Sequence, residues 1–208
     1  MNKTEAYEFD RTGYLVIPDL LSSEAVTQLA DAVNRLEKHA LEHKDKPPRL
    51  TAPWGSEYHV NESGGYHVHA SEKAEGGSMI IEDFFNFDPA FDQLVNEPKT
   101  MTYINAIVQE RPSINNSELR IRYTGNYSGT HMGGPLPNKY RYGYNGTGID
   151  CMMVRMIYFV HDVTAEEGAF CVVPGTHKSH LSSPYEIRIP EEEPGMIPLP
   201  VKAGYGVL

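Results

Sequence analysis

The sequence predicts an α+β fold with an antiparallel sheet or barrel. Apolar residues recur at helical spacing in the first half of the chain, whereas apolar and charged residues alternate from Ser117 onward. The predicted helices come first and the predicted strands after them, an order that favours α+β over alternating α/β units. A length of 208 residues is enough for one domain with its own core, so we expect a single domain spanning residues 1–208.

The first half predicts one short strand and three helices. The strand lies in GYLVIPDL, and the helical spacing of LSSEAVTQLADAVNRLEKHALEH follows it directly. This long helix is expected to end before Pro47, because the residue before a proline disfavours helical backbone. A second helix is predicted in DPAFDQLVN, with Asp88 as N-cap and Pro89 in the first turn, and a third begins at Pro98.

Residues 45–78 are interpreted as a long loop, because they are rich in Pro, Gly, Ser and charged residues. A loop of this length in a compact domain is often a lid or a binding loop. We therefore take Trp54, His67 and His69 as the candidate substrate contacts. A solvated loop is the favoured interpretation of the His-x-His pair. The alternative is a strand, in which both imidazoles face the same side and reach one metal ion.

The second half predicts strands. ELRIRYT alternates, with Leu119 and Ile121 facing one way and Arg120 and Arg122 the other. MMVRMIYFV predicts a more buried strand, GAFCVVPG a third, and MIPLPV and GYGVL two more. Because GYGVL has the pattern of a strand that has only begun, we expect the C-terminal strands of the domain to be incomplete in this chain.

Composition excludes several classes of partner. A net charge of -10 argues against nonspecific binding to nucleic acid or to an anionic membrane, so a small molecule is the expected partner. The longest apolar run, CMMVRMIYFV, is too short to span a bilayer, and the N-terminus lacks the apolar core of a signal peptide. Two cysteines make no disulfide framework, which favours a cytoplasmic location. Nothing in the sequence indicates the oligomeric state.

Among the nine histidines, His131 is the candidate for chemistry. It follows the alternating strand and precedes Gly-Gly-Pro after one methionine, and glycines allow backbone to approach a ligand closely. A lone histidine is nevertheless more often structural than metal-binding. His39 and His43, one helical turn apart, are expected on the surface, and His177 is expected to form hydrogen bonds within its own turn.

Three stretches occur in the order found in the phytanoyl-CoA dioxygenase family. GYLVIPDLLSSEAVTQLADAVNRLE resembles the opening of that family, NFDPAFDQLVNEPKTMTYINAIV its helical middle part, and EEGAFCVVPGTHKSH its later Pro-Gly-Ser-His-Lys motif, with Thr176 in place of the serine. The resemblance implies a double-stranded β-helix, a jelly-roll or cupin-like barrel, flanked by N-terminal helices. It also implies an iron(II)- and 2-oxoglutarate-dependent dioxygenase that hydroxylates a small-molecule substrate.

The resemblance implies an iron site that this chain carries only in part. Family members hold iron with a His-x-Asp pair and a distal histidine, which leaves three coordination positions for the cosubstrate and dioxygen. His131 matches the first histidine and is the expected catalytic metal ligand, but Gly133 occupies the carboxylate position. Asp150 is the candidate replacement, and the distal histidine is expected after Leu208.

The family also implies a basic side chain that pairs with the far carboxylate of 2-oxoglutarate. Arg120, Arg122 and Arg155 are the candidates for this cofactor contact. By its resemblance to the family, Arg155 is expected to face the barrel interior, where an arginine needs an anionic partner. That partner is either the cosubstrate or an internal acidic residue.

Gly133 leaves two alternatives open. In a halogenase-like protein, chloride takes the coordination position that the carboxylate vacates. In a non-catalytic barrel, iron chemistry is lost and the domain only binds a small molecule. Because the distal histidine is expected after Leu208, we expect the 208-residue chain to bind iron poorly by itself and to be inactive as isolated.

Overall fold

The computed structural model describes residues 1–53, 55–131, 142–179, 181, 183–185 and 189–208. These residues form helices and antiparallel sheets in two compact units. The first unit comprises Met1–Val26, Glu97–Pro112 and Ser128–Leu208, and the second comprises Thr27–Asn96 and Ser113–Tyr127. Among the described residues, no helix is long and apolar enough to cross a membrane.

The α-helices are α1 (Lys3–Thr12), α2 (Ser23–His43), α3 (Asp92–Val95) and α4 (Pro98–Ile107). The strands are β1 (Val16–Ile17), β2 (Arg49–Thr51), β3 (Glu57–Asn61), β4 (Tyr66–Ala70), β5 (Ser78–Glu82), β6 (Glu118–Arg122), β7 (Tyr142–Tyr144), β8 (Ile149–Cys151), β9 (Ile157–Tyr158), β10 (Phe170–Val172), β11 (Ile197–Leu199) and β12 (Gly206–Val207).

The predicted helices are confirmed. In α2 the residues at three- and four-residue steps are buried, namely Leu29, Ala32, Leu36 and Ala40. In DPAFDQLVN, a 3-10 turn at Pro89–Phe91 leads into α3, and Asp88 caps it by accepting a hydrogen bond from the Ala90 amide at 3.0 Å. Helix α4 begins at Pro98, as predicted.

The prediction of a loop over residues 45–78 is wrong. This segment forms β2, β3 and β4 and reaches the start of β5, in a five-stranded antiparallel sheet of order β2-β3-β4-β5-β6. Its alternation is that of a half-buried strand, because Tyr66 and Val68 are buried whereas His67 and His69 are not. Composition does not show this alternation, because the residues that face outward are polar and resemble those of a loop. The predicted order of helices followed by strands is wrong for the same reason.

One face of the five-stranded sheet is apolar and buried within the second unit. Met79 pairs with Ile121 and Ile81 pairs with Leu119, and both β5 residues are fully buried. Val68 of β4 pairs with Ile81 and extends the same face. The alternation predicted for β6 is therefore confirmed, since its apolar residues pack on this buried face.

The first unit is built on sheets that join distant parts of the chain. Strand β12 lies between β1 and β9, so Val207 pairs with both Val16 and Ile157. The pairs β7-β8 and β10-β11 are also antiparallel. One core cluster in this unit contains Phe9, Ile17, Leu20, Ile107, Ile149 and Leu208. Over the described ranges, the strands form no closed barrel.

The predicted strand MMVRMIYFV is interrupted. Strand β8 ends at Cys151 and β9 begins at Ile157, and no regular strand lies between them. Arg155 falls in this interruption and is exposed. The expectation that Arg155 faces a barrel interior is therefore corrected, because its position is neither part of a strand nor buried.

Candidate functional site

Four of the candidate site residues lie on the exposed side of the five-stranded sheet, which we call the open face. In the antiparallel register, His69 pairs with Ile80 and Ile80 with Arg120, so these three side chains project to the same side. Two residues along the strands in one direction, His67 pairs with Glu82, and Glu82 pairs with Glu118. Two residues in the other direction, Ser78 pairs with Arg122. The sheet therefore brings together two predicted substrate contacts and two predicted cofactor contacts that the sequence separates by some fifty residues.

The two arginines form the basic part of the open face. Arg122 and Arg120 are two residues apart on one strand and project the same way. Burial, and then the nearby charge of Arg120, lower the pKa of Arg122. Arg120 pairs with Glu118, and the Arg122 Nη1 atom donates to Asn126 Oδ1 at 3.4 Å. Two guanidinium groups this close in sequence and direction suit the carboxylate of an anionic ligand.

The two histidines of the open face have different surroundings. His67 Nδ1 lies 3.2 Å from Asp83 Oδ2, and its ring contacts Tyr58 at a centroid distance of 5.8 Å. His69 Nδ1 lies 2.9 Å from the Glu57 carbonyl oxygen and its side chain is exposed. His67 also lines a cleft of about 570 Å³, whereas His69 does not. The two rings thus share a face but have separate hydrogen-bond partners. Trp54, the third predicted substrate contact, lies outside the described residues.

His131 lies in the first unit and is exposed. Its Nδ1 atom is 3.1 Å from the Gly129 carbonyl oxygen. A carbonyl only accepts, so this contact favours the tautomer with hydrogen on Nδ1 and a lone pair on Nε2. Metal-ligating histidines take this arrangement, because the second hydrogen bond fixes the tautomer and orients the ring. Gly133, the expected vacant carboxylate position, lies outside the described residues.

Asp150, the candidate replacement carboxylate, also belongs to the first unit. It is half-buried on β8 and pairs across the β7-β8 ladder with Gly143. Its charge contributes to the raised pKa of Cys151, although burial of that thiol is the larger cause.

The iron site of the family requires three suitable side chains close together. Within the ranges that the structure describes, no three His, Cys, Asp or Glu side chains lie together in a group able to hold a metal ion. The described residues therefore do not assemble a complete facial triad. His131 and His69 each combine an exposed ring with an Nδ1 contact to a backbone carbonyl, which leaves Nε2 available to a metal.

His177, in the Pro-Gly-Thr-His-Lys motif, contacts α1 and does not bond within its own turn as expected. Its Nε2 atom lies 3.1 Å from the Asp10 carbonyl oxygen, and its ring packs against Tyr142 at a centroid distance of 4.5 Å. Tyr142 Oη donates to Asp10 Oδ1 at 2.9 Å, and Lys178 Nζ lies 3.4 Å from the same oxygen. These contacts join the C-terminal part of α1, at Asp10, to the motif and to Tyr142 of β7. The motif itself was visible in the sequence, but its partner was not.

His39 and His43 are half-buried and not on the surface as expected. Their rings stack at a centroid distance of 4.2 Å, and His39 Nδ1 lies 2.8 Å from Tyr66 Oη. His59, which is 3% exposed, stacks against His43 from strand β3. Burial is the largest cause of the lowered pKa of His39, and the nearby charge of His43 is the next. These histidines belong to the packing between α2 and the sheet.

Solved structures of HygX share the fold of this chain. HygX from Streptomyces hygroscopicus with nickel, 2-oxoglutarate and hygromycin B bound has a TM-score of 0.65 and 18% identity, covering 100% of this chain and 77% of that one. The same protein with nickel and 2-oxoglutarate gives a TM-score of 0.69 at 17% identity, covering 100% and 76%. With iron bound it gives 0.63 at 17% identity, covering 100% and 76%. At this identity the likeness shows the fold alone.

A comparison with curated proteins finds no match. The comparison with protein families matches residues 9–208 to the family described as Phytanoyl-CoA dioxygenase (PhyH), whose members use iron(II) and 2-oxoglutarate. This match covers nearly the whole chain and includes the three stretches on which the resemblance rested. The chain therefore belongs to the phytanoyl-CoA dioxygenase family.

Proposed function

We propose that this chain is a single oxygenase domain that uses iron(II) and 2-oxoglutarate to hydroxylate a small-molecule substrate. The observation that carries the proposal is the family match over residues 9–208. The antiparallel sheets and the full-length likeness to HygX support the finer assignment of the strands to a jelly-roll barrel of the cupin type.

His131 is proposed as an iron ligand through Nε2. Its Nδ1 contact with the Gly129 carbonyl supports this role, because that hydrogen bond leaves the Nε2 lone pair available. Asp150 is proposed as the carboxylate that replaces the one missing at Gly133. When bound, iron and 2-oxoglutarate would supply the oxidising chemistry. The described residues do not complete the ligand set.

Arg120 and Arg122 are proposed as the contacts of an anionic ligand, the far carboxylate of 2-oxoglutarate. Their shared direction on β6 supports the proposal, since two guanidinium groups offer parallel donors to one carboxylate. Burial is the larger cause of the lowered pKa of Arg122 and the charge of Arg120 the next, so a bound anion would stabilise the charged guanidinium. Arg155 is the weaker candidate, because it is exposed and lies outside a strand.

His67, His69 and Trp54 are proposed as substrate contacts. The position of the two histidines on the open face supports the assignment, and His67 in addition lines a cleft. HygX holds hygromycin B, a small molecule, on the same fold. A small-molecule substrate is proposed for this chain as well.

A non-catalytic binding protein is the second candidate function. Gly133 in the carboxylate position favours it, as does the absence of a three-ligand group among the described residues. A halogenase-like reaction is the third, since glycine at this position leaves room for a halide. The reaction class must therefore be decided by measurement.

The deciding experiment is anaerobic titration with iron(II), followed by assay of succinate released from 2-oxoglutarate in air, of the 208-residue protein and of a version that includes the distal histidine expected after Leu208. On the proposed function, His131→Ala abolishes iron binding in the longer version, and Gly133→Asp raises its iron affinity by adding an anionic ligand. The same substitutions should change the 208-residue form little. Arg122→Ala raises the Kd of 2-oxoglutarate by roughly 10- to 100-fold, the equivalent of one charge-assisted hydrogen bond. Arg111→Ala, which removes an exposed arginine outside the open face, is the matched control.

Two results would decide against the proposal. Iron(II) that binds equally well to His131→Ala would show that other residues hold the metal. No iron binding and no succinate from the longer version, with or without Gly133→Asp, would support the non-catalytic alternative.

A further inference from the structure

The second unit contains a cleft at one end of the five-stranded sheet, which we call the amide cleft. Its volume of about 570 Å³ lies within the roughly 300–1,000 Å³ typical of small-molecule sites. Six of the polar residues that line it are Glu62, His67, Asp83, Asn86, Asn115 and Asn116. All of its lining residues belong to the second unit.

Several polar side chains of the amide cleft have unused hydrogen-bonding capacity. Glu62, Asn86 and Asn115 are exposed, and none of their side chains has a hydrogen bond to another described residue. A side-chain amide offers two donor hydrogens and an accepting oxygen, whereas a carboxylate only accepts. A hydroxyl group both donates and accepts, so a ligand with several hydroxyls matches this mixture. Asn61 does not contribute, because it bonds Gly64 and His59 internally.

The charges of the amide cleft disfavour an anionic ligand. Among the described residues, its lining includes the carboxylates of Glu62 and Asp83 but no lysine or arginine. A phosphate group placed here would meet like charge without a cation to pair with, which is the usual way that a site rejects a ligand. The cleft is therefore unsuited to phosphorylated compounds and to coenzyme A esters. Neutral or positively charged ligands are compatible with it.

The His67–Asp83 pair fixes the direction of one hydrogen bond. Asp83 precedes a 3-10 turn with its backbone in the left-handed region at φ 60°, but its side chain makes no capping hydrogen bond. The carboxylate lies instead 3.2 Å from His67 Nδ1. If Nδ1 donates to this carboxylate, Nε2 of the neutral ring becomes an acceptor for a ligand hydroxyl.

The amide cleft also has an apolar wall. Phe85 is half-buried, and Ile114 is 58% exposed although it is a large aliphatic residue. An aromatic ring and an aliphatic side chain beside several amides suit a ligand with one C–H face and a polar edge. Sugar rings have this composition.

We propose that the amide cleft binds a polyhydroxylated small molecule of the sugar or amino-sugar class, with no phosphate group. The amides and Glu62 contact its hydroxyls, the apolar wall contacts its C–H face, and Asp83 favours a ligand with an amino group. Identifying this ligand with the oxygenase substrate rests on the proposed function. Its binding to the cleft does not, because no iron is needed for any of these contacts.

The test is ligand-observed NMR titration of the metal-free 208-residue protein with glucosamine, methyl glucoside and glucose 6-phosphate. Glucosamine and methyl glucoside are expected to bind, and glucose 6-phosphate at least roughly tenfold more weakly, because one uncompensated like charge costs about 1.4 kcal/mol or more. Asp83→Asn keeps a residue that tolerates left-handed backbone, so its effect reports the charge. It is expected to weaken glucosamine binding by about tenfold while affecting methyl glucoside less.

Asp31→Asn is the matched control, since it removes an exposed carboxylate of α2 outside the cleft. Glucose 6-phosphate as the tightest ligand, no binding of either unphosphorylated sugar, or equal weakening by Asp31→Asn would each overturn the proposal. Measuring succinate release with the same sugars, iron(II) and 2-oxoglutarate, in the version that includes the distal histidine expected after Leu208, separates the two ideas. Saturable sugar binding without succinate release from that version contradicts the oxygenase function and leaves the cleft standing. Succinate release stimulated equally by the same subsaturating glucosamine concentration with and without Asp83→Asn contradicts the cleft and supports the oxygenase.

Discussion

Replacement of Gly13 by alanine tests the contact between α1 and the Pro-Gly-Thr-His-Lys motif. Gly13 is the C-cap of α1, with φ at 85°, and its amide donates to the Phe9 carbonyl at 2.7 Å. A Cβ atom added at this position would lie 2.3 Å from His177 Nδ1, far inside van der Waals contact. The structure thus allows neither the backbone conformation nor the space for a side chain.

The expected cost of Gly13→Ala has two separable parts. Left-handed backbone in a residue with a Cβ costs about 1–2 kcal/mol. Overpacking against His177 adds about 1–3 kcal/mol, because that ring is also held by Tyr142 and Asp10. The free energy of unfolding should therefore fall by roughly 2–5 kcal/mol.

A double-mutant cycle measured by urea unfolding separates these parts. In a His177→Ala background the clash is gone, so Gly13→Ala should cost only about 1–2 kcal/mol, which leaves a coupling energy of about 1–3 kcal/mol. Gly168→Ala is the matched control, since Gly168 has φ at 78° and a Cβ there would meet no atom within 4 Å. If Gly13→Ala cost the same in both backgrounds, the proposed packing of His177 over α1 would be refuted.

Three further predictions concern the second unit. The pKa of His39 is lowered chiefly by burial, so its neutral form is favoured in the folded protein. The stability that depends on neutral His39 should be complete above about pH 6.5 and decline as the pH falls. His39→Gln should flatten the decline of the melting temperature with falling pH. Ile81 is fully buried, whereas Ile80 projects from the open face. In urea unfolding, Ile81→Ala should lower the free energy of unfolding by about 2–5 kcal/mol and Ile80→Ala by about 1 kcal/mol. Equal losses would contradict the register. Asp88 caps the 3-10 turn and also pairs with Arg35 at 2.6 Å. Asp88→Ala removes both contacts and should cost about 1–2 kcal/mol, whereas Asp88→Asn loses the ion pair but can still cap and should cost less; identical losses in urea unfolding would show that the ion pair, and not the cap, carries the stability.

The sequence predicted those elements whose signal is contained within a few neighbouring residues. The spacing of α2, the Asp88 cap and the alternation of β6 each depend on local geometry, and each is confirmed. The resemblance to the phytanoyl-CoA dioxygenase family is also a local signal, repeated in three stretches, and the family match confirms it. The loop prediction for residues 45–78 is wrong because it rests on composition and not on the alternation of buried and exposed residues. The period-two pattern of YHVHA is short, and its outward residues are histidines in place of the usual charged groups.

The sequence by itself determined the family, the helices and the strands with strong periodicity, because these follow from motifs and from the geometry of a few consecutive residues. It also supplied His131, Asp150 and the three arginines as candidates, and their roles stay predictions. Tertiary structure alone decided that His67, His69, Arg120 and Arg122 share one face, since strand register is set by pairing across the sheet. It also decided that Arg155 is exposed and that His177 lies against Gly13. Contacts between residues far apart in the chain depend on which surfaces pack together, and no local pattern in one sequence records that choice.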